Sequence, residues 1–180
     1  MAFRPLIAGL KESGFSCRLF VYAAAMRLAP QETRTYFVTA VAAERRSLFQ
    51  VTATAELLQQ TILDYRSQGK FLLHSFVIMP EHFHALLTPA PDVSLEKAMQ
   101  FIKGGFSFRL KSKMAVWTRS FNESQIMSEE KFMKCVRYIE ENPVRRGLST
   151  TAQAYLFSSA FLGSFDPMPV HLVRRADRAV

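Results

Sequence analysis

Residues 71–89, FLLHSFVIMPEHFHALLTP, constrain the fold more than any other stretch of this chain. Two apolar runs, 71–78 and 83–87, are joined by the short turn MPE, and this pattern predicts a β-hairpin. His82 and His84 stand at the start of the second run, and side chains two residues apart on a strand point to the same face of the sheet. Two adjacent imidazoles on a rigid strand can bind one divalent metal ion. The pattern is equally compatible with a histidine that faces the core and is hydrogen-bonded there.

A second distinctive stretch, residues 128–148, predicts a helix. Ser128 suits the N-cap position, and two glutamates follow in the first turn, where the helix dipole favours acidic side chains. A residue that precedes proline is pushed out of the helical conformation, so we expect the helix to end near Asn142, ahead of Pro143. The apolar residues that recur at helical spacing are predicted to form its buried stripe: Phe132, Cys135, Val136 and Ile139.

Tyr138 lies beside the centre of that apolar stripe. Lys134 and Asn142 stand four residues before and after it, so the three side chains line up along one edge of the helix. A tyrosine in this position is either a half-buried amphipathic residue or a phenol that is available for chemistry. Phenols are poor nucleophiles at neutral pH, and the positive charges of Lys134 and Arg137 would favour the phenolate.

Two linked motifs carry a family resemblance. The segment MPEHFHALL at 79–87, followed downstream by YIEENPV at 138–144, resembles the single-tyrosine HUH transposases, and among them the REP-associated tyrosine transposases of bacteria. HUH stands for histidine, hydrophobe, histidine, which residues 82–84 supply as His-Phe-His. The resemblance runs roughly from residue 36 to residue 160, and the two motifs stand in the family's order and spacing.

The resemblance implies a catalytic site. Tyr138 matches the family's nucleophile, which is carried on a late helix, and His82 with His84 matches its metal-binding pair. Asn142 matches the polar residue that completes the metal site one helical turn after the tyrosine. Glu81 departs from the family, which commonly has asparagine at this position, next to the metal pair.

The activity implied by the resemblance is that of a transposase. Such an enzyme is a metal-dependent single-stranded DNA transesterase that binds DNA hairpins and cleaves and rejoins them through a 5′-phosphotyrosine intermediate. The implied ion is Mg²⁺ or Mn²⁺, and relatives include both monomers and swapped homodimers. Two alternatives stay open: a domesticated protein that binds DNA hairpins without cutting them, and a metal-dependent hydrolase in which water replaces the tyrosine.

The order of the predicted elements favours an α+β fold. Strands are expected at 35–42, 71–78, 83–87 and 115–121, and helices at 53–66, after Ser94 and in the segment that contains Tyr138. This order implies a small antiparallel sheet with packed helices. The resemblance adds a ferredoxin-like or RNA-recognition-like HUH fold, in which the histidine pair lies on the central strand and faces the tyrosine helix.

The charge distribution favours an acidic partner. The chain has 23 Lys and Arg against 15 Asp and Glu, a net charge of +8 that fits nucleic acid binding. Residues 101–120 contain five basic residues and no acid, which predicts a phosphate-binding face, or else a solvated basic helix face. Gly104 and Gly105 in this segment permit a kink or a close backbone approach, for example to DNA. The DNA-binding candidates are Lys103, Arg109, Lys111, Lys113, Arg119, Lys134, Arg145 and Arg146.

The sequence also predicts a compartment and domain boundaries. Cys17 and Cys135 have no CxxC partner and fit reduced thiols, and no apolar run approaches the ~20 residues that span a bilayer. We therefore expect a cytoplasmic protein without membrane contact. At 180 residues the chain is expected to hold one main domain. We divide it into an N-terminal extension at 1–34, the HUH domain at 35–162 and a basic tail at 163–180.

Overall fold

Four antiparallel strands and three long helices make up the domain within residues 33–163 and 165–173, the part of the chain that this computed structural model describes. The predicted N-terminal extension lies almost wholly outside that part, as does the end of the tail, 174–180. In chain order the elements are β1 (Thr35–Val41), α1 (Thr52–Ser67), β2 (Phe71–Met79), β3 (His82–Pro89), α2 (Leu95–Leu110), β4 (Asn122–Ile126), α3 (Glu129–Arg145) and the short α4 (Ser159–Leu162).

The strands form one antiparallel sheet in the order β2-β3-β1-β4, which confirms the predicted α+β class. The predicted hairpin is present as β2 and β3, with only Pro80 and Glu81 between them. Because β3 lies between β2 and β1, His84 is paired with Val77 on one side and with Thr39 on the other. Two ladders of backbone hydrogen bonds therefore fix the position of this part of β3.

Different helices cover the two faces of the sheet, because side chains alternate along each strand. On one face, Phe83 and the alternate residues of β3 that follow it pack in a large core with α1 and α2. On the other face, Leu86 packs in a smaller cluster with Phe132 and other residues of α3. His82 and His84 alternate with Phe83, so they lie on the α3 face, as expected for a histidine pair that faces the tyrosine helix.

Gly105 allows α1 and α2 to approach each other closely. A Cβ atom at Gly105 would lie 2.6 Å from Cε2 of Tyr65 on α1, whereas a Cβ atom at Gly104 would meet nothing closer than Cγ of Gln100, at 3.9 Å. The helix is unbroken through both glycines, so the predicted kink is absent. A close approach is present at Gly105, where the backbone of α2 meets the ring of Tyr65 on α1.

We expect Gly105→Ala to lower the free energy of unfolding by about 1–3 kcal/mol, the usual cost of overpacking. The added methyl group would displace the ring of Tyr65, which is stacked on Phe101 with ring centroids 5.2 Å apart. Gly104→Ala is the matched control, because the methyl group has room there and alanine favours a helix interior by up to ~1 kcal/mol. Urea unfolding measures both variants, and equal stability would show that Tyr65 moves without cost.

The fourth strand is not where the sequence predicts it. The prediction of a strand at 115–121 is wrong: β4 is the polar sequence NESQI, which pairs with β1 at one edge of the sheet. An edge strand of this kind is held by backbone hydrogen bonds and has largely solvated side chains, so it lacks apolar alternation. The apolar residues before it fill the core instead, where Trp117 packs against Phe49 and Phe106.

Helix α3 begins as predicted and ends later than predicted. Ser128 caps it by accepting a hydrogen bond from the backbone N–H three residues on. The helix continues through Pro143 to Arg145, so the predicted end near Asn142 is wrong. The helix ends where Gly147 adopts a left-handed conformation, with a φ of +67°. Its N–H and that of the next residue bond back to carbonyls of the last turn, the Schellman arrangement that commonly ends a helix at glycine.

The residues that follow α3 pack along β2, at the other edge of the sheet. The hydroxyl of Tyr155 donates to the backbone oxygen of Ile78 at 2.8 Å. Asp166 accepts two hydrogen bonds from Arg66, each of 2.8 Å, and one from the backbone N–H of Leu73 at 2.7 Å. Residues 165–173 of the predicted basic tail are therefore part of the packed domain. Within the described residues, no helix has the length and apolar character needed to cross a membrane.

Candidate active site

His82 and His84 form a close pair on β3. Both side chains are buried, and their Nε2 atoms lie 3.1 Å apart. With metal–ligand bonds of about 2.1 Å, two neighbouring positions of an octahedron lie ~3.0 Å from each other. The same 3.1 Å is the length of a hydrogen bond between the two Nε2 atoms, and it also fits two neighbouring ligands of one octahedral ion. Neither histidine faces the large core beneath α1 and α2.

The Nδ1 atom of each histidine has a partner of its own. Nδ1 of His82 lies 3.2 Å from Oε1 of Glu81, and Nδ1 of His84 lies 2.8 Å from Oγ1 of Thr39. Partners at Nδ1 leave Nε2 as the coordinating atom, which is how metal-bound histidines are usually held. Sequence reasoning missed Thr39, because only the register between β1 and β3 places it opposite His84.

A third protein ligand beside the two histidines would have to be a side chain other than His, Cys, Asp or Glu. The described residues contain no group of three His, Cys, Asp or Glu side chains placed to hold a metal ion. Asn142 is buried on α3, one turn after Tyr138, which contacts His84, and one turn before Arg146, which contacts Glu81. Asn142 therefore lies along α3 between a residue that contacts His84 and one that contacts Glu81. Two imidazoles and an amide, with open positions for water and phosphate, fit Mg²⁺ or Mn²⁺.

Tyr138 lies against the histidine pair from α3. Its ring centroid is 5.5 Å from that of His84 and 5.8 Å from that of Phe37 on β1, and both contacts are edge-on. The side chain nevertheless keeps 40% of its surface exposed, so a ligand at the protein surface can reach it. A groove of about 540 Å³ opens beside it, lined by Phe37, Lys134, Cys135, Arg137, Tyr138 and Arg145.

The basic residues of α3 surround Tyr138, but most of them are paired. Lys134, which the sequence suggests as the cation that favours the phenolate, shares its charge with a glutamate one turn earlier. The guanidinium of Arg145 instead lies 5.8 Å from the centroid of the Tyr138 ring. Arg137 is exposed, lines the groove, and makes no ion pair with any described residue. The ion pairs are Lys134–Glu130 (2.7 Å), Arg145–Glu141 (2.8 Å) and Arg146–Glu81 (3.1 Å).

The basic segment 101–120 lies away from the histidine face. Lys103 and Arg109 belong to α2, which covers the opposite face of the sheet, and their head groups bind within the protein. Nζ of Lys103 donates to two backbone oxygens, and burial lowers the pKa of this amine. Nη1 of Arg109 lies 2.6 Å from a carboxylate oxygen of Asp64. The exposed basic residues that follow α2 are Lys111, Lys113 and Arg119. Of the predicted DNA contacts, Lys134 and Arg145 line the groove beside Tyr138 and Arg146 contacts Glu81, whereas Lys103 and Arg109 lie on the opposite side of the sheet.

Burial keeps the histidine pair neutral. Desolvation, followed by the nearby charges of His82 and Arg146, lowers the pKa of His84 to about 3. Desolvation also lowers the pKa of His82, although the carboxylate of Glu81 opposes the shift. Metal binding requires the neutral imidazole. Both side chains are therefore in the binding form at neutral pH.

We expect the protein to lose stability as the pH falls from about 7.5 to about 5.5. Burial lowers the folded-state pKa of His74, His82 and His84, so below about pH 6.5 the unfolded chain binds protons that the folded chain excludes. Each of these histidines lowers the free energy of unfolding by up to ~1.4 kcal/mol per pH unit in that window. Urea unfolding at both pH values measures the change, and His84→Ala is expected to reduce the slope. A free energy that does not change with pH would contradict this expectation.

The family model described as "Transposase IS200 like" matches residues 31–142, more than half of the chain, and this range includes His82, His84 and Tyr138. The chain belongs to this family. It is 28% identical over 126 residues to the REP-associated tyrosine transposase of Escherichia coli (strain K12), a match that covers 69% of this chain and 75% of that one. It is also similar to the solved structure of a REP-associated tyrosine transposase bound to a REP hairpin, with a TM-score of 0.64 and 27% identity over 72% of this chain and 78% of the other.

The family membership confirms the resemblance seen in the two sequence motifs and the fold that it implies. In this IS200-like transposase, the structure brings His82, His84, Tyr138 and Asn142 to one face of the sheet. Their roles in catalysis and metal binding stay predictions. The same holds for the DNA contacts of the basic residues.

Proposed function

We propose that this IS200-like transposase is a metal-dependent single-stranded DNA transesterase that cleaves and rejoins DNA hairpins through a 5′-phosphotyrosine. The contact between Tyr138 and His84 carries the proposal. It joins the predicted nucleophile to the predicted metal pair within one chain, with ring centroids 5.5 Å apart. A hydrolase that uses water as the nucleophile would not require a tyrosine in this place.

In the proposed reaction, Oη of Tyr138 attacks the phosphorus of a phosphodiester. A bond forms between Oη and phosphorus, the bond between phosphorus and the 3′ oxygen breaks, and the 5′-phosphate stays on the tyrosine. The phenol proton passes to solvent, and the departing 3′ oxygen takes up a proton. Because one phosphodiester replaces another, the reverse reaction can rejoin the ends, and the sequence contains no GxxxxGK[ST] motif for ATP.

The residues around Tyr138 have distinct tasks in this reaction. His82, His84 and the amide of Asn142 would hold Mg²⁺ or Mn²⁺, which supplies Lewis-acid polarisation of the scissile phosphate. The guanidinium of Arg145 lies 5.8 Å from the centroid of the Tyr138 ring, where it would attract the phosphate backbone of the DNA. Phe37 is stacked on His84, with ring centroids 5.3 Å apart and an interplanar angle of 24°, and so holds the plane of that imidazole.

Charge and similarity support a DNA hairpin as the substrate. The solved relative with a TM-score of 0.64 is bound to a REP hairpin. In this chain the groove beside Tyr138 carries the exposed cations Arg137 and Arg145, which suit a phosphate backbone. Phe37, in the same groove, offers an aromatic surface to an unpaired base.

A set of imperfect DNA hairpins with unpaired extensions, carrying different fluorophores at the 5′ and 3′ ends, tests the proposal. With Mn²⁺ we expect an adduct that survives denaturation and retains the 3′ label, because the tyrosine keeps the 5′-phosphate of the downstream fragment. The fragment with the 5′ label is expected to be released, and EDTA is expected to prevent both events.

The other outcomes of this experiment separate the alternatives. Cleavage without an adduct would favour the hydrolase. Hairpin binding with neither cleavage nor adduct would favour a protein that only binds DNA. An adduct that retains the 5′ label would contradict the proposed polarity of the phosphotyrosine.

A further inference from the structure

We propose that Glu81 is a positioning residue, which holds His82 so that its Nε2 atom faces the metal, and that Arg146 holds Glu81 in this place from the end of the tyrosine helix. The inference rests on the proposed metal-binding role of His82.

One carboxylate oxygen makes both contacts. Oε1 of Glu81 lies 3.2 Å from Nδ1 of His82 and accepts a hydrogen bond from Nη2 of Arg146 at 3.1 Å. The Glu81 side chain is only 17% exposed, so both interactions are shielded from solvent on the carboxylate side. Arg146 is 54% exposed and reaches in from the surface.

The backbone that carries Glu81 is itself held on both sides. The N–H of Ala42 donates to the backbone oxygen of Glu81 at 2.8 Å, and the N–H of Phe49 donates to that of Pro80 at 2.9 Å. The turn between β2 and β3 is therefore tied to the segment that follows β1. A carboxylate on such a turn can fix the orientation of a neighbouring ring.

The geometry makes Glu81 an orienting group for His82 rather than a ligand. An imidazole carries Nδ1 and Nε2 on different sides of the ring, and Glu81 contacts the nitrogen that does not face His84. A carboxylate that accepts the Nδ1 proton fixes the tautomer in which Nε2 has a free lone pair, and it also raises the basicity of that nitrogen.

Arg146 links this arrangement to the nucleophile. It follows the last residue of α3, and its N–H donates to the backbone oxygen of Asn142 at 3.1 Å. The ion pair between Arg146 and Glu81 therefore ties the helix that carries Tyr138 and Asn142 to the strand that carries the histidines.

Calorimetric titration of the full chain with Mn²⁺ tests the inference. We expect Glu81→Ala to weaken Mn²⁺ binding by about 10- to 100-fold, the usual effect of removing such a partner. Glu81→Gln is expected to lose less affinity for Mn²⁺, because the amide oxygen of glutamine can still accept a hydrogen bond from Nδ1 of His82. Arg146→Ala is expected to weaken Mn²⁺ binding less than Glu81→Ala does. The double variant is expected to bind Mn²⁺ no more weakly than Glu81→Ala alone. Glu130→Ala, which removes an exposed carboxylate from an ion pair at the start of α3, is the control and is expected to bind like the wild type.

A spectroscopic measurement separates positioning from general stability. The chain has four histidines, so ¹⁵N spectra of histidine-labelled protein can be assigned with His82→Ala. We expect His82 to carry its proton on Nδ1 in the wild type and in Glu81→Gln, and to become a mixture of tautomers in Glu81→Ala. An unchanged tautomer in Glu81→Ala, or Mn²⁺ binding within about twofold of the wild type, would overturn the inference. A wild type that binds no Mn²⁺ would instead contradict the proposed function, and the tautomer would still decide the role of Glu81.

Discussion

Tyr138→Phe is expected to abolish the covalent adduct with DNA and to leave hairpin binding within about twofold of the wild type. The substitution removes only the hydroxyl, so the ring can keep its edge-on contacts with His84 and Phe37. Without an oxygen nucleophile no phosphotyrosine can form, whereas the cations that attract DNA are unchanged. Denaturing gels measure the adduct, and fluorescence anisotropy with a labelled hairpin measures binding.

Tyr155→Phe is the control for this prediction. It also removes one tyrosine hydroxyl, which here donates to the backbone oxygen of Ile78, and it is expected to cost about 1 kcal/mol of stability. We expect its adduct yield to equal that of the wild type. An adduct with Tyr138→Phe would point to another nucleophile. Loss of the adduct in both variants would show that the assay responds to stability rather than to the nucleophile.

The parts of the fold that follow from local sequence could be predicted. The hairpin of β2 and β3 is encoded by two apolar runs around Pro80 and Glu81, and the start of α3 is encoded by Ser128. Each of these features depends on residues that are neighbours in the chain. The same locality explains why the two histidines could be placed on one face of one strand.

The predictions that failed concern features set by tertiary structure. β4 is a polar edge strand that is recognisable only once β1 is present to pair with it. The end of α3 is an exception, because its signal is local. Pro143 predicts an end near Asn142, whereas the helix continues to Arg145 and the glycine cap at Gly147 ends it. Thr39 and Phe37 reach His84 through the register of β1, which no local pattern reveals.

The basic segment 101–120 shows that the location of a charged surface also depends on tertiary structure. Lys103 and Arg109 lie close to other basic residues in the sequence. Nevertheless, the helix that carries them, α2, packs on the face of the sheet opposite the histidines. Their head groups bind backbone oxygens and Asp64. A count of charges along the chain therefore could not locate the surface near Tyr138, where Arg137 and Arg145 lie.

His84→Ala is expected to lower the rate of metal-dependent cleavage by about 10³-fold or more, since a metal ion that polarises a phosphate contributes several kcal/mol to the transition state. The substitution removes one of the two Nε2 atoms that stand 3.1 Å apart, so only one histidine remains to bind the ion. Single-turnover cleavage of the labelled hairpin at a Mn²⁺ concentration that saturates the wild type measures the effect. Circular dichroism shows whether the variant is folded under the same conditions.

His74→Ala is the matched control, because His74 and His84 are 7% and 6% exposed and each is hydrogen-bonded through Nδ1. His74 binds Thr88 and the backbone of Asp166 and contacts neither Tyr138 nor the histidine pair. Both variants are expected to lose about 1–3 kcal/mol of stability, the cost of removing a buried hydrogen-bonding group. Only His84→Ala is expected to lose cleavage. Equal loss in both would assign the effect to folding, and a wild-type rate in His84→Ala would show that the pair does not hold the ion.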